Sequence, residues 1–414
     1  MCRPLRLSAW LFVLLGGLLS FSTAQAVPSF ARQTGLACAA CHQAANFPEL
    51  NSFGRRFKLG GYAMSLIKDI KSNAGKKDGK RQDLSLIDIP LLSAMLQVSA
   101  THTAKDQADT QNNSTAFPQQ LSLFLAGRLA PDLGTFIQMT YAENDPGFSL
   151  DLADVRYAGQ TKVDGKPLLY GFTLNNMPTI EDPWNSTPVW GFPWSGSEQA
   201  PGPQASTLLD GDVLGNVAGL GAYGSLNSTW YGDVSVYRSS GSNDASSENV
   251  IKGGAPYWRF AYERYIGHTY LMLGTLGMTA DLYPTGISGP TDSYRDAGVD
   301  TQIEQPIGGN MLTVHGAYIN EKRDPAAGDS VTYKHFKVDA NYHVARRLRT
   351  TLGFSTIHTG SDNLDTTDWI AQLAYYPWEN VNLSLQYTGY TKFDGSSDNA
   401  SDNNTTYLMG WVAF

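Results

Sequence analysis

Val381-Asn382-Leu383-Ser384-Leu385-Gln386-Tyr387-Thr388-Gly389-Tyr390 alternates residue by residue between two chemistries. Val381, Leu383, Leu385, Tyr387 and Gly389 make one row, and Asn382, Ser384, Gln386, Thr388 and Tyr390 make the other. A period of two belongs to a strand whose faces meet unlike surroundings. The pattern recurs upstream: Leu121, Leu123, Leu125 and Leu129 oppose Ser122, Phe124, Ala126 and Arg128. Phe336, Val338, Ala340 and Tyr342 likewise oppose Lys337, Asp339 and Asn341. Beyond residue 83 no long helical periodicity competes with it. An apolar outer row backed by a polar inner row is what a water-filled barrel in lipid requires.

The connections between these strands come in two sizes. Short turns fall near 131–134, 160–167, 226–229, 264–268, 305–310, 343–347 and 377–380. Longer stretches rich in Ser, Asn, Asp and Gly occupy 101–118, 143–150, 175–216, 239–256, 279–298, 320–330, 358–366 and 391–404. Seven short and eight long connections join sixteen strands, and an even count leaves both barrel ends on the periplasmic side. The chain closes on Thr406, Leu408, Gly410, Val412 and Phe414 along one face, similar to the last strand of outer-membrane barrels. The expectation is an all-β fold, a transmembrane outer-membrane β-barrel of about 16 antiparallel strands over residues 83–414, set in outer-membrane lipid.

Upstream the chemistry changes. Arg3 and Arg6, the apolar run from Leu7 to Leu19, and Ala24-Gln25-Ala26 read as a signal peptide over residues 1–26. That run is too short to span a bilayer comfortably. Residues 27–82 hold ten Lys and Arg against three Asp and Glu, a net of +7; the remainder from Asp83 holds 18 against 35, a net of −17. An exported chain has no nucleic acid within reach, so nucleic-acid binding is set aside. Docking of the basic segment into its own acidic barrel accounts better for the asymmetry.

Cys2 leaves with the signal, so Cys38 and Cys41 are the mature chain's cysteines, and both lie in Cys38-Ala39-Ala40-Cys41-His42. Two residues between the sulfurs and an adjoining imidazole fit covalent attachment of one haem c, with His42 as an axial ligand. A structural disulfide or a zinc pair is the alternative. A segment of this size builds little core, so 27–82 is expected to be a small, partly helical haem plug and linker, in the lumen or at the periplasmic mouth. For the sixth iron position Met64, 22 residues after His42, offers a thioether; its other reading is a core methionine packed on the ring. His102 and Met95 are further options. His268, His315, His335, His343 and His358 lack metal-ligand spacing and read as barrel or turn residues. No phosphate loop or nucleophile motif appears.

The stretches VPSFARQTGLACAACH (27–42) and FPELNSFGRRFKLGGYAM (47–64) resemble the fused monohaem cytochrome and porin family of iron-oxidising bacteria, whose members are outer-membrane iron oxidases. WNSTPVWGFPW (184–194) looks like that family's aromatic loop. The resemblance implies that Cys38 and Cys41 anchor the haem and His42 ligates it. It further implies an oxidoreductase in which extracellular ferrous iron gives one electron to the haem, which passes it to a periplasmic cytochrome or similar carrier. The stretch Lys68 to Arg81 would link plug to barrel, or be a solvated linker. Acidic loops at 362–368 and 394–402 would concentrate cations, although solvation is the plainer reading. Two alternatives stand beside iron oxidation: a conduit for another electron donor or acceptor, and a solute porin whose haem plug is structural or sensing.

Overall fold

The computed structural model describes residues 27–43, 48–63, 91–106, 112–142, 145–210, 214–241 and 243–414. The expected signal peptide, Met64, the Lys68–Arg81 stretch and the plug–barrel boundary at 82–83 lie outside them. Two short helices come first, α1 (Pro28–Thr34) and α2 (Ser52–Leu59). Strands follow: β1 (Leu92–Thr103), β2 (Ser114–Ala130), β3 (Leu133–Ala142), β4 (Asp145–Val163), β5 (Lys166–Asn175) and β6 (Val217–Leu226). Next are β7 (Trp230–Ser239), β8 (Glu248–Ile251), β9 (Ala255–Ile266), β10 (Thr269–Thr285), β11 (Asp292–Ile307) and β12 (Asn310–Asp324). The last are β13 (Val331–Val344), β14 (Leu348–His358), β15 (Thr366–Trp378), β16 (Val381–Lys392) and β17 (Thr405–Ala413).

Each strand pairs antiparallel with its neighbours, and β1 pairs with both β2 and β17, which closes the ring. At the seam Ala94 and Phe414 exchange backbone hydrogen bonds of 2.8 and 2.9 Å. β8 and β9 both lie along β10, one beyond the other, so they share a single place in the ring. The result is a closed 16-stranded antiparallel barrel. All seven short turns fall where the sequence puts them, at the end where β1 starts and β17 stops.

The alternating rows take the sides their chemistry demands. In β16 Leu383 and Leu385 face outward and are about half exposed, whereas Asn382, Ser384 and Gln386 are buried on the lumen side. In β13 Asp339 and Asn341 point inward and Phe336 outward. Trp230, Tyr265 and Trp378 stand exposed where strands approach the short turns, the depth at which aromatic girdles border the apolar band of a membrane barrel.

Three expectations need correction. The long connection expected at 143–150 shrinks to two residues, since β3 runs to Ala142 and β4 starts at Asp145; Arg128, by contrast, keeps the inner-row register opposite Gly134 and is exposed at the short-turn mouth. The long connection expected at 279–298 shrinks to 286–291, because Met278, Ala280 and Leu282 continue β10 and bury against Leu208 and Leu209. In the stretch 175–216 the described residues, 175–210 and 214–216, do not make an outward loop. They fold into the lumen, where Trp184 Nε1 donates to the Tyr270 hydroxyl at 2.6 Å and Leu209 N to Asp296 at 2.9 Å.

Leu385→Arg would put a guanidinium into the lipid-facing row and cost about 2–4 kcal/mol at mid-depth. Denaturant titration in lipid vesicles is expected to register that loss. Ser384→Ala, one residue away on the lumen face, is expected to move the midpoint little.

Candidate functional site: the cleft around the CxxCH motif

Residues 27–43 and 48–63 contact inward-facing side chains around much of the ring. Arg32 donates to Leu92 O at 2.5 Å beside the seam, and Cys38 N to Glu379 Oε2 at 3.0 Å in the turn between β15 and β16. Tyr62 donates to Asp154 on β4, and Tyr223 on β6 donates to Leu59 O at 2.7 Å. Arg55 pairs with Glu304 on β11. Glu49 Oε2 sits 2.9 Å from His343 Nε2 on β13. The charge asymmetry thus acts in both directions: Arg55 meets a barrel carboxylate, while Glu49 meets barrel bases. Burial alone would raise the Glu49 carboxyl, but the charges of His343, His315 and Arg349 overrule it and bring it down to about 2.

Local sequence explains how the motif is held. α1 opens with Pro28 in its first turn and stops at Gly35, whose φ of +69° suits glycine. A tight turn over Cys38–Ala40 follows, with Cys41 N and His42 N both donating to Cys38 O at 3.0 Å. Asn51 ties this turn to α2. Its Oδ1 accepts from Phe53 N and Gly54 N, the N-cap interaction, and its Nδ2 donates to Ala40 O at 3.0 Å and His42 O at 3.2 Å. Asn51 N also donates to Cys41 O at 2.9 Å. Gly54 lets the pieces close, since a Cβ there would lie 2.1 Å from Cys41 O.

Together these elements form a cleft lined by Cys38, Cys41 and His42 with mostly apolar neighbours. Phe30 packs edge-on to Phe57 at 5.2 Å and stacks on Tyr62 at 5.5 Å, and Phe136 meets Trp190 at 5.9 Å between ring centroids. The two cysteines are not joined in a disulfide. Burial pushes the Cys41 thiol up to about 11 and the His42 imidazole down to about 4, so the ring is neutral, the form that binds iron. His42 Nδ1 is buried with no hydrogen-bond partner among the described residues. Two thiols with two residues between them, a neutral imidazole beside them and an apolar aromatic wall fit a covalently held haem.

Of the other ligand options, Met64 lies outside the described residues. Met95 is buried against the wall formed by Phe57, Tyr62 and Phe124, but lines the neighbouring cavity rather than the cleft. His102 is exposed on β1, away from the motif. Sequence reasoning missed two wall residues. Lys58 is buried, donates to Asp182 O at 2.7 Å and lies 4.2 Å from the Trp190 ring centre. Asp182 also accepts from Ser186 N, Thr187 N and the Thr187 hydroxyl, which folds the aromatic stretch inward. That stretch reaches a second cavity of about 1470 Å³ at the long-connection end, lined by Phe192, Asp210, His335, Asp339 and Asp368. Phe192 touches Trp194 at 5.0 Å, and Trp194 Nε1 donates to Trp190 O at 3.0 Å, so a single loop extends from that cavity to the cleft.

No protein-family model and no curated protein matches the chain. Among solved structures, an anion-selective porin from Comamonas acidovorans shares 13% identity, with 78% of this chain and 98% of that one covered and a TM-score of 0.47. OmpF of Salmonella typhi in complex with daunomycin shares 14% over 78% and 97%, with a TM-score of 0.46. A loop-deletion mutant of OmpT, an outer membrane protein of Vibrio cholerae, shares 11% over 78% and 98%, with a TM-score of 0.46.

Gly54→Ala must drive α2 off the Cys41 carbonyl, at a cost of about 1–3 kcal/mol. The measurable outcome is a lower yield of haem-stained protein with the barrel still folded on a semi-native gel. Lys58 gives a pH signature. Burial first, then the nearby Arg156 charge, lowers it from 10.5 to about 7, so between those values the folded state binds fewer protons than the unfolded one. Stability is therefore expected to rise with pH across that window, and Lys58→Met to flatten the rise. Calorimetry showing the same slope in both proteins would reject this.

Proposed function

We propose that this chain is an outer-membrane cytochrome in which one electron from extracellular ferrous iron crosses to a soluble periplasmic carrier by way of a haem c attached at Cys38 and Cys41. The observation that carries the proposal is the convergence of both thiols and the His42 ring on one aromatic cleft in the lumen. A bound haem would supply a one-electron couple at a potential set by its axial ligands and surroundings. His42 would be the first ligand and Met64 the candidate for the second. Phe30, Phe57, Tyr62, Phe136 and Trp190 make the cleft's apolar wall, and the buried Lys58 amine stands in that wall.

At the other cavity Asp210, Asp339 and Asp368 favour entry of a divalent cation over an anion, while Lys337 and His335 limit how tightly one is held. Weak holding suits a substrate that gives up one electron and leaves as ferric iron. Because ferric iron precipitates near neutral pH, moving only the electron inward keeps the product outside the cell. The solute-porin alternative has the barrel in its favour, but two inserted segments fill the lumen and oppose it.

Stopped-flow mixing of oxidised, haem-loaded protein with ferrous iron tests the proposal. The reduced haem spectrum is expected to appear with the wild type and to be lost in His42→Ala, whose barrel still inserts. A wild-type protein that ferrous iron leaves oxidised, yet another reductant of similar strength reduces, would reassign the donor. Rapid sugar flux through reconstituted protein would favour the porin.

A further inference from the structure

α2 divides two cavities. Gly54, Phe57 and Lys58 face the cleft, whereas Ser52, Arg55, Arg56 and Leu59 line a separate space of about 1890 Å³ on the opposite side. Its other walls come from the short-turn ends of the strands, with Arg264 and Glu263 among them. Three of its four charged lining residues are arginines. Glu263 is engaged by the Tyr270 hydroxyl, and Arg55, although paired with Glu304, keeps a buried Nη2 without a partner among the described residues. Arg56 and Arg264 are exposed.

The surrounding rim has the same sign. Arg32, Arg128, Lys162, Lys166, Arg346 and Arg347 are exposed at this end, against Asp132, Asp164 and Glu379, the last accepting from Cys38 N. The opposite end carries the Asp-rich connections, so the barrel is polarised along its axis.

We propose that the arginine-lined cavity at the short-turn mouth is the docking site for an acidic projection of a soluble electron-carrier protein. The proposal rests on the electron-transfer reading above and gives the carrier a charge and a place. A seated acidic surface would meet Arg56 and Arg264 and stand about one helix diameter, ~10–12 Å, from the cleft. Positive charge at the mouth would also raise the encounter rate with such a partner in a salt-dependent way. A lipid surface fits less well, because Arg56 lies on the plug, inside the ring rather than on its outer face.

The test uses full-length, haem-loaded protein in detergent micelles and fluorescence anisotropy of a labelled ten-residue glutamate peptide at low salt. Binding is expected, with at least tenfold weakening in the double variant Arg56→Glu, Arg264→Glu and a shallower salt dependence. Lys166→Glu, on the rim outside the cavity, is expected to stay within about threefold of wild type. Haem absorbance and gel mobility confirm that each variant is folded, and Arg56→Lys is expected to keep binding. Equal binding by wild type and the double variant overturns the proposal. So does a loss that Lys166→Glu reproduces and phosphatidylglycerol vesicles compete away, which would assign the rim to lipid headgroups. Peptide binding requires no iron, so failure of iron oxidation and failure of docking are read separately.

Discussion

A ring of sixteen strands encloses more space than its own side chains can fill. This chain meets that constraint by inserting two of its own segments, residues 27–43 and 48–63 from the short-turn end and residues 176–210 and 214–216 from the other. They meet in the interior: Leu50 N donates to Asn185 Oδ1 at 3.3 Å and Lys58 to Asp182 O at 2.7 Å. The cleft exists because the two inserts and the wall each contribute one side of it. Residues 27–43 and 48–63, with little core of their own, thereby acquire Phe136 from β3 and Trp190 from the loop.

Filling the lumen removes water from charged residues that the strand pattern points inward, and each then requires a partner. Arg259 is fully buried between Asp182 and Asp300, at 3.4 and 2.6 Å, and Arg156 lies 2.6 Å from Asp154. Removing one member would strand the other in a dry interior; Arg259 thus binds loop to wall, and Tyr62, donating to Asp154, adds the plug. The same reasoning explains why the inner face is not uniformly polar. Where the loop's Leu208 and Leu209 land, β10 answers with Leu276, Met278 and Leu282.

The barrel was legible because a strand's period of two and the alternating turn lengths are local signals, and the CxxCH motif because it is a short linear pattern. The inward course of 176–216 was not, since a loop rich in Gly, Pro and Trp looks the same whichever way it turns. Its Asp182-Pro183-Trp184-Asn185-Ser186-Thr187 run does carry a hint, an acid followed by hydroxyls able to fold back on it. The cap at Asn51 was available too, in an Asn ahead of a short helical run, but its second task of gripping Ala40 and His42 depends on a tertiary fold-back.

The seam has a bearing on biogenesis. α1 lies against it, with Arg32 on Leu92 O and Ser29 beside Ser93, next to the strands whose pairing shuts the ring. A segment touching so much of the wall cannot be threaded cleanly through a mouth already occupied by turns. Residues 27–43 and 48–63 must therefore lie against the nascent sheet when β1 meets β17. The order of assembly then matters: a ring that closes before these residues are in place leaves the lumen without one of its two inserts.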